Sequence, residues 1–271
     1  MSALAWRSVG AVDPHRLGEA RRQAHNAAQW LVRLARSYIA PQPHGQHTLL
    51  QWDSQRQALV TQEFLPQLTV ELRIPELALQ FKEDGRAVPH VIKLDDRTPA
   101  EVEAWVLVEL LHRGIDYDRF SKSLPYKVPD LMMGDALRYV AEPLAAELNE
   151  LATWFANAAS VLAAIEKEQL RSATRSTPKL WCWPGVFHLA ILLPMHDASS
   201  GPILRAGFSA GDDRNDQPYF YVALHDAAAG ATPWPDAVVT AASLLQEGRP
   251  GETAQDRVCA AIGAMRTTAA K

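Results

Sequence analysis

Cysteine is scarce in this sequence: Cys182 and Cys259 are the only two in 271 residues. That excludes a disulfide scaffold and any finger built from several thiolates, and it suits a reducing compartment. Charge of one sign is also lacking. The 27 basic and 31 acidic residues leave a net charge of −4, too balanced for a sequence-wide pull toward nucleic acid or anionic lipid. Long apolar runs are missing as well. The most apolar stretch, Val186 to Met195, is interrupted by His188 and Pro194 and falls far short of the ~20 residues that span a bilayer. No secretory h-region follows Arg7 near the start. A cytoplasmic protein with neither a nucleic acid nor a membrane as partner is expected. Phosphate-cradling loops of the P-loop and G-x-G-x-x-G types, the H-E-x-x-H zinc pattern and the kinase set are all absent, so no motif names a cofactor.

What is present is ordinary globular material. Hydrophobic residues make up 48% and charged residues 21%, with 14 glycines and 18 prolines, close to background usage. The length fits one large domain or two small ones. The periodicity predicts a helix from Asp13 to Ile39, capped by Asp13 and Pro14, with Leu17, Ala20, Ala24, Ala28, Leu31, Ala35 and Tyr38 on one stripe. Arg21, Arg22, Arg33 and Arg36 lie off that stripe, on a face read as solvated. After Pro41 the period falls to two. Short strands are expected at His47–Trp52 and Gln57–Glu63, then at Leu68–Ile74, Leu77–Phe81 and Val88–Leu94, with Asp84-Gly85 turning the last pair. Thr98, Pro99 and Glu101 spell a capping box for a helix that ends at Gly114.

An irregular connection at 116–134 leads to the longest helix, 143–170, whose Leu144, Leu148, Leu151, Phe155, Ala158, Leu162 and Ile165 recur in alternating steps of four and three. Such a stripe is either the seam for a partner helix or the buried side of a core helix. Strands at Leu180–Leu193, Ile203–Ser209 and Pro218–His225 and helices at Pro235–Glu247 and Thr253–Met265 complete the chain. The fold class is α+β, with antiparallel sheets packed by long amphipathic helices. Residues 1–271 read as one α+β domain, divisible into helix-plus-meander halves at 13–115 and 135–271. No residue-level repeat supports a duplication.

Candidate sites cluster in the later strands. Gly207-Phe208-Ser209-Ala210-Gly211 matches the G-x-S-x-G of a serine nucleophile, and His225, in or beside the next strand, is the only histidine downstream of it. No helix is predicted after it, and a hairpin connection accounts for both glycines. Asp212, Asp213 and Asp216, with Asn215, offer oxygen ligands for a hard cation, or simply the hydrogen bonding of a turn. His44 and His47 follow prolines, which argues against a shared metal. His188, among apolar neighbours, reads as a core histidine or a site residue. Trp181, Trp183, Tyr219 and Tyr221 concentrate aromatics in neighbouring strands, and alternation sets both tyrosines on one face and Phe220 with Val222 on the other. That face is either core or the lining of a small-molecule pocket.

The same segments, Trp183-Pro184-Gly185-Val186-Phe187-His188-Leu189-Ala190, then Gly207 to Asp212, then Pro218-Tyr219-Phe220-Tyr221-Val222, resemble the bacterial family called domain of unknown function 5996. Its pattern runs W-P-H-H-F-D-[LI]-A, G-F-S-x-G-D, P-Y-F-Y-V. The resemblance extends over most of residues 15–225. Where the family has two histidines and an aspartate, this chain has Gly185, Val186 and His188. The resemblance implies a loop between strands for the Gly207–Asp212 motif, and it implies no activity or substrate. The residues favour a small-molecule-binding or accessory protein using Trp181, Trp183, His188, Tyr219 and Tyr221. The alternatives are a hydrolase using Ser209, His188 or the acidic loop, and a homo-oligomer formed through helix 143–170.

Overall fold

The structure, a computed structural model, describes residues 4–169, 180–195, 202–225 and 237–269. They contain five α-helices and ten strands, the strands forming two five-stranded antiparallel sheets, so the class is α+β. The chain divides into two units, His15–Ala152 and Met1–Pro14 with Thr153–Lys271. The division falls inside the helix Ala145–Gln169 and not at the 116–134 connection. That connection belongs to the first unit because it is bonded to its helix: Arg33 Nε donates to the Lys122 carbonyl at 3.1 Å and Arg36 Nη1 to Ser123 Oγ at 2.7 Å.

In the first unit α1 (Pro14–Tyr38) buries the predicted stripe. Arg33 departs from expectation. It is buried, with its guanidinium 4.3 Å from the centre of the Trp30 ring, because the 116–134 segment lies across a face that otherwise would be solvated. Burial lowers its pKa, partly opposed by Tyr139, Glu103 and Tyr126. The sheet runs in chain order: β1 (Gln51–Asp53), β2 (Ala58–Val60), β3 (Leu68–Arg73), β4 (Ala78–Glu83) and β5 (Arg86–Lys93). His47 and Thr48, expected to begin a strand, lie in a 3-10 segment, Pro43–Thr48, with His44 and Gly45 at positive φ. Asp84 and Gly85 both have positive φ, as a two-residue hairpin turn between β4 and β5 requires. Pro89 is tolerated in β5 because β5 is an edge strand. Core side chains Leu59, Leu72, Leu79 and Ile92 share one rung. The capping box of α2 (Pro99–His112) forms as read: Thr98 accepts from the Glu101 N–H at 3.2 Å, and Glu101 accepts from the Thr98 N–H at 2.8 Å.

Helix α3 (Ala145–Gln169) follows a 3-10 turn at Glu142–Leu144, and residue 170 of the expected helix lies outside the described residues. Every member of its four-three stripe, from Leu144 to Ile165, is buried within the single chain, so that stripe offers no bare seam to a partner helix. In the second unit Phe155 meets Phe187 and Phe208, with ring centres 5.2 and 5.9 Å apart. Asn157 grips the backbone of Arg7 from both sides, accepting at 2.9 Å and donating at 2.8 Å. The second sheet is again sequential: β6 (Trp181–Trp183), β7 (His188–Pro194), β8 (Ile203–Ser209), β9 (Tyr219–Leu224) and β10 (Ala237–Thr240).

Two expectations need correction here. The predicted single strand Leu180–Leu193 is a hairpin, turning through 184–187. The helix expected at Pro235–Glu247 is a strand followed by a short helix. Its first two residues lie outside the described set, while Ala237–Thr240, rich in β-branched residues, pairs with β9, and Thr240 then caps α4 (Ala241–Leu245). The closing helix α5 (Pro250–Ala269) starts earlier than expected, at a proline suited to a first turn.

Candidate functional site

Strand register decides which side chains meet. One face of the second sheet carries Cys182, Leu189, Phe208, Phe220 and Val239 in a single rung, the core side under α3. The opposite face carries Trp183, His188, Ser209, Tyr219 and Thr240 in one rung and Trp181, Ala190, Gly207, Tyr221 and Val238 in the next. Arg205 and Ala223 follow in a third. All the aromatic candidates, with His188 and Ser209, therefore share this face. His188, Ser209, Tyr219, Tyr221 and Arg205 are buried, whereas Trp181 and Trp183, on the edge strand β6, are half-buried.

Tyr221 lies flat over Gly207. A Cβ built on that glycine would stand 2.5–2.8 Å from three atoms at the far end of the tyrosine. Gly207 is thus a mid-strand residue required by its cross-strand neighbour, not the turn glycine suggested by the pattern. From this position the Tyr221 hydroxyl reaches His188 Nδ1 at 3.3 Å, and the rings of His188, Tyr219 and Tyr221 have centres 5.4–6.3 Å apart. Arg205 extends along the face, its guanidinium 4.8 Å from the centre of the Trp183 ring, with Nη2 2.9 Å from His225 Nδ1. Burial pushes the Tyr221 pKa up to about 12, against the nearby Arg205 charge and hydrogen bond. Tyr219 is raised too, first by burial and then by its bond to Asp212.

The acidic loop is built from turn chemistry. Asp212 Oδ1 accepts from the N–H groups of Arg214 and Asn215, both at 2.9 Å, and Oδ2 accepts from the Tyr219 hydroxyl at 2.5 Å. Burial works against ionisation of Asp212, but these bonds and the facing His188 outweigh it and lower the pKa. Asp213 and Asp216 are exposed, and no three-ligand group forms in this loop among the described residues. Ser209 closes β8. Its Oγ accepts from the Gly211 N–H at 3.1 Å and donates to the Gly211 carbonyl at 3.2 Å, and His188 Nδ1 faces Tyr221. The chain then turns into β9, without the helix of a nucleophile elbow. His44 and His47 do not converge: His47 Nδ1 accepts from the Gln42 N–H at 3.2 Å.

Three features escape sequence reasoning. Arg205 joins the site only through register, and it places beside itself His225, which the sequence offers only as the histidine downstream of Ser209. In the first unit, Glu71 of β3 is wholly buried on the face away from the core, with Arg56, Arg73 and Lys82 at 3.0, 3.7 and 3.6 Å. Beside Lys82 and Thr69 a cavity of about 280 Å³ opens. The third feature is a His90, Glu109 and His112 group between β5 and α2. The spacing of Glu109 and His112 places them on one helix face, but nothing local to the sequence ties His90 to them.

No family model matches the chain, and neither a curated protein nor a solved structure matches it significantly.

Proposed function

We propose that this protein binds a small molecule at the β6 edge of the second sheet, with Trp181, Trp183 and Arg205 as the contact surface and His188, Tyr219 and Tyr221 setting its polar groups. One observation carries the reading: seven aromatic and polar side chains converge on the sheet face opposite the core, and of these seven the two tryptophans on β6 are the ones partly open. A guanidinium stacked on an indole suits a planar ligand bearing an anionic or acceptor group. Hydroxyl and imidazole groups beside it donate or accept as the ligand demands. The absence of any helix long and apolar enough to cross a membrane among the described residues agrees with the cytoplasmic setting we assign, and the free thiols Cys182 and Cys259 support it. We also keep the resemblance to the domain of unknown function 5996 family as a proposal, supported by the succession of its three motifs along β6–β9.

Native mass spectrometry of the protein as purified tests the binding reading. The expected result is a small-molecule mass on the native chain that vanishes on denaturation and is lost in Trp183→Ala. A bare native chain, or an adduct that Trp183→Ala and Arg205→Gln both retain, counts against it.

A further inference from the structure

Edge strand β5 and helix α2 bring two exposed histidines to one buried carboxyl. Glu109 is 2% exposed, and its Oε1 lies 3.2 Å from His90 Nδ1 and 3.9 Å from His112 Nδ1. One ligand atom from each of the three residues lies within 4.8 Å of the other two. The second carboxyl oxygen points the other way: Oε2 accepts from Arg113 Nη1 at 2.7 Å. Arg113 is itself fixed, with Nε 2.8 Å from Glu83 Oε1, Nη1 also on the Glu109 carbonyl at 2.7 Å, and the guanidinium over the Phe81 ring at 4.5 Å.

We propose that His90, Glu109 and His112 form a binding site for one divalent transition-metal ion of the zinc class. The donor set supports this, since two imidazoles and one carboxylate favour such ions over Mg²⁺ or Ca²⁺, which prefer all-oxygen surroundings. So does the geometry. Metal–ligand bonds near 2.0–2.1 Å in a tetrahedron set neighbouring donor atoms about 3.3–3.4 Å apart. The His90–Glu109 separation already matches; the exposed His112 ring closes on Glu109 by roughly half an ångström, and the two imidazole donors, within 4.8 Å of each other, draw together to the same spacing.

Arg113 supplies what a coordinating carboxylate needs behind it, a charge-assisted hydrogen bond that leaves one oxygen turned toward the metal. Its positive charge is offset by Glu83, so the group with Arg113 and Glu83 included carries a net negative charge before the metal arrives. Three protein ligands leave a fourth position open to water or to an incoming donor. Bound there, the ion fastens the outermost strand of the first sheet to α2.

The test is Zn²⁺ titration of the full chain by calorimetry, with Co²⁺ absorption as a second readout. One Zn²⁺ per chain is expected, with visible Co²⁺ bands from a four-coordinate site that Mg²⁺ and Ca²⁺ fail to displace. His90→Ala and His112→Ala alter exposed side chains and should each weaken binding by ~10-fold or more, as should Arg113→Gln acting through the carboxylate. His44→Ala should leave binding unchanged. Absence of stoichiometric Zn²⁺, or equal affinity in the His90→Ala/His112→Ala double variant, overturns the site. Loss in only one of the two histidine variants overturns its three-ligand form. Circular dichroism of each variant separates loss of the metal from loss of the fold.

Discussion

On the first sheet, the face turned away from the core gathers its polar groups around one carboxyl, Glu71, ringed by Arg56, Arg73 and Lys82. On the second sheet the corresponding face holds two tyrosines, a histidine and a serine, with Arg205 and Asp212 at its margins. The architecture is common to both: a 25-residue helix, then a five-strand sequential meander, then a further helix. The chemistry placed on it is not. Ion clusters fix one arrangement, because moving any member strands a charge. Hydroxyl and imidazole groups exchange donor and acceptor roles at little cost, which is why we propose the second face, and not the first, as the ligand surface.

The comparison is broken most severely at Glu71. Removing the buried carboxyl in Glu71→Ala takes from Arg56, Arg73 and the nearly buried Lys82 the anion they share and should cost about 3–5 kcal/mol of stability, measured by urea unfolding. Next in size is a pair of equivalent turns. Gln57 and Phe187 each end a four-residue hairpin loop, with φ of 51° and 57°. Phe187 is buried against Phe155, so Phe187→Gly should lose about 2–4 kcal/mol, the cavity cost exceeding the relief of backbone strain. Gly207→Ala drives a methyl into the Tyr221 ring. It should cost about 1–3 kcal/mol and alter the near-ultraviolet circular dichroism of the tyrosines.

The Asp212 carboxyl, held below its ordinary range, contributes stability that is present above the usual aspartate pKa of about 3.9 and is lost as pH falls through the lower folded value. The difference in urea midpoint between wild type and Asp212→Asn should therefore shrink between pH 5 and pH 3. Half-exposure and screening keep the effect under about 1 kcal/mol. Smallest, and opposite in sign to its partner turn, is Gln57→Gly. With no buried ring to lose, it should gain about 0.5 kcal/mol in thermal unfolding.

Features written in adjacent residues were legible in the sequence. Thr98 and Glu101 announce their capping box, Asp84-Gly85 announces its hairpin, and alternation from Leu68 to Leu72 separates core from surface. The tyrosine face was legible for the same reason, since a period of two needs no knowledge of neighbours. Features that depend on pairing were not. Alternation sends Glu71 outward and says nothing of the long arginine and lysine side chains that close over it. Gly207 resembles a turn residue until register sets Tyr221 across from it. Ala237–Thr240 reads as the start of a helix until β9 offers it a ladder. His90 and Glu109 meet only because an edge strand and a helix are laid side by side.

Both sheets pair each strand only with its neighbours along the chain, and several of the turns are four residues or fewer. Among the described residues no ladder waits for a distant segment to be synthesised or to diffuse home. The hairpins that turn in four residues or fewer close at small entropic expense and each templates the next strand. Sheets usually impose slow folding because their partners are far apart in sequence. In this chain the order of strands removes that delay, and a nascent chain can complete one meander before the other has been made.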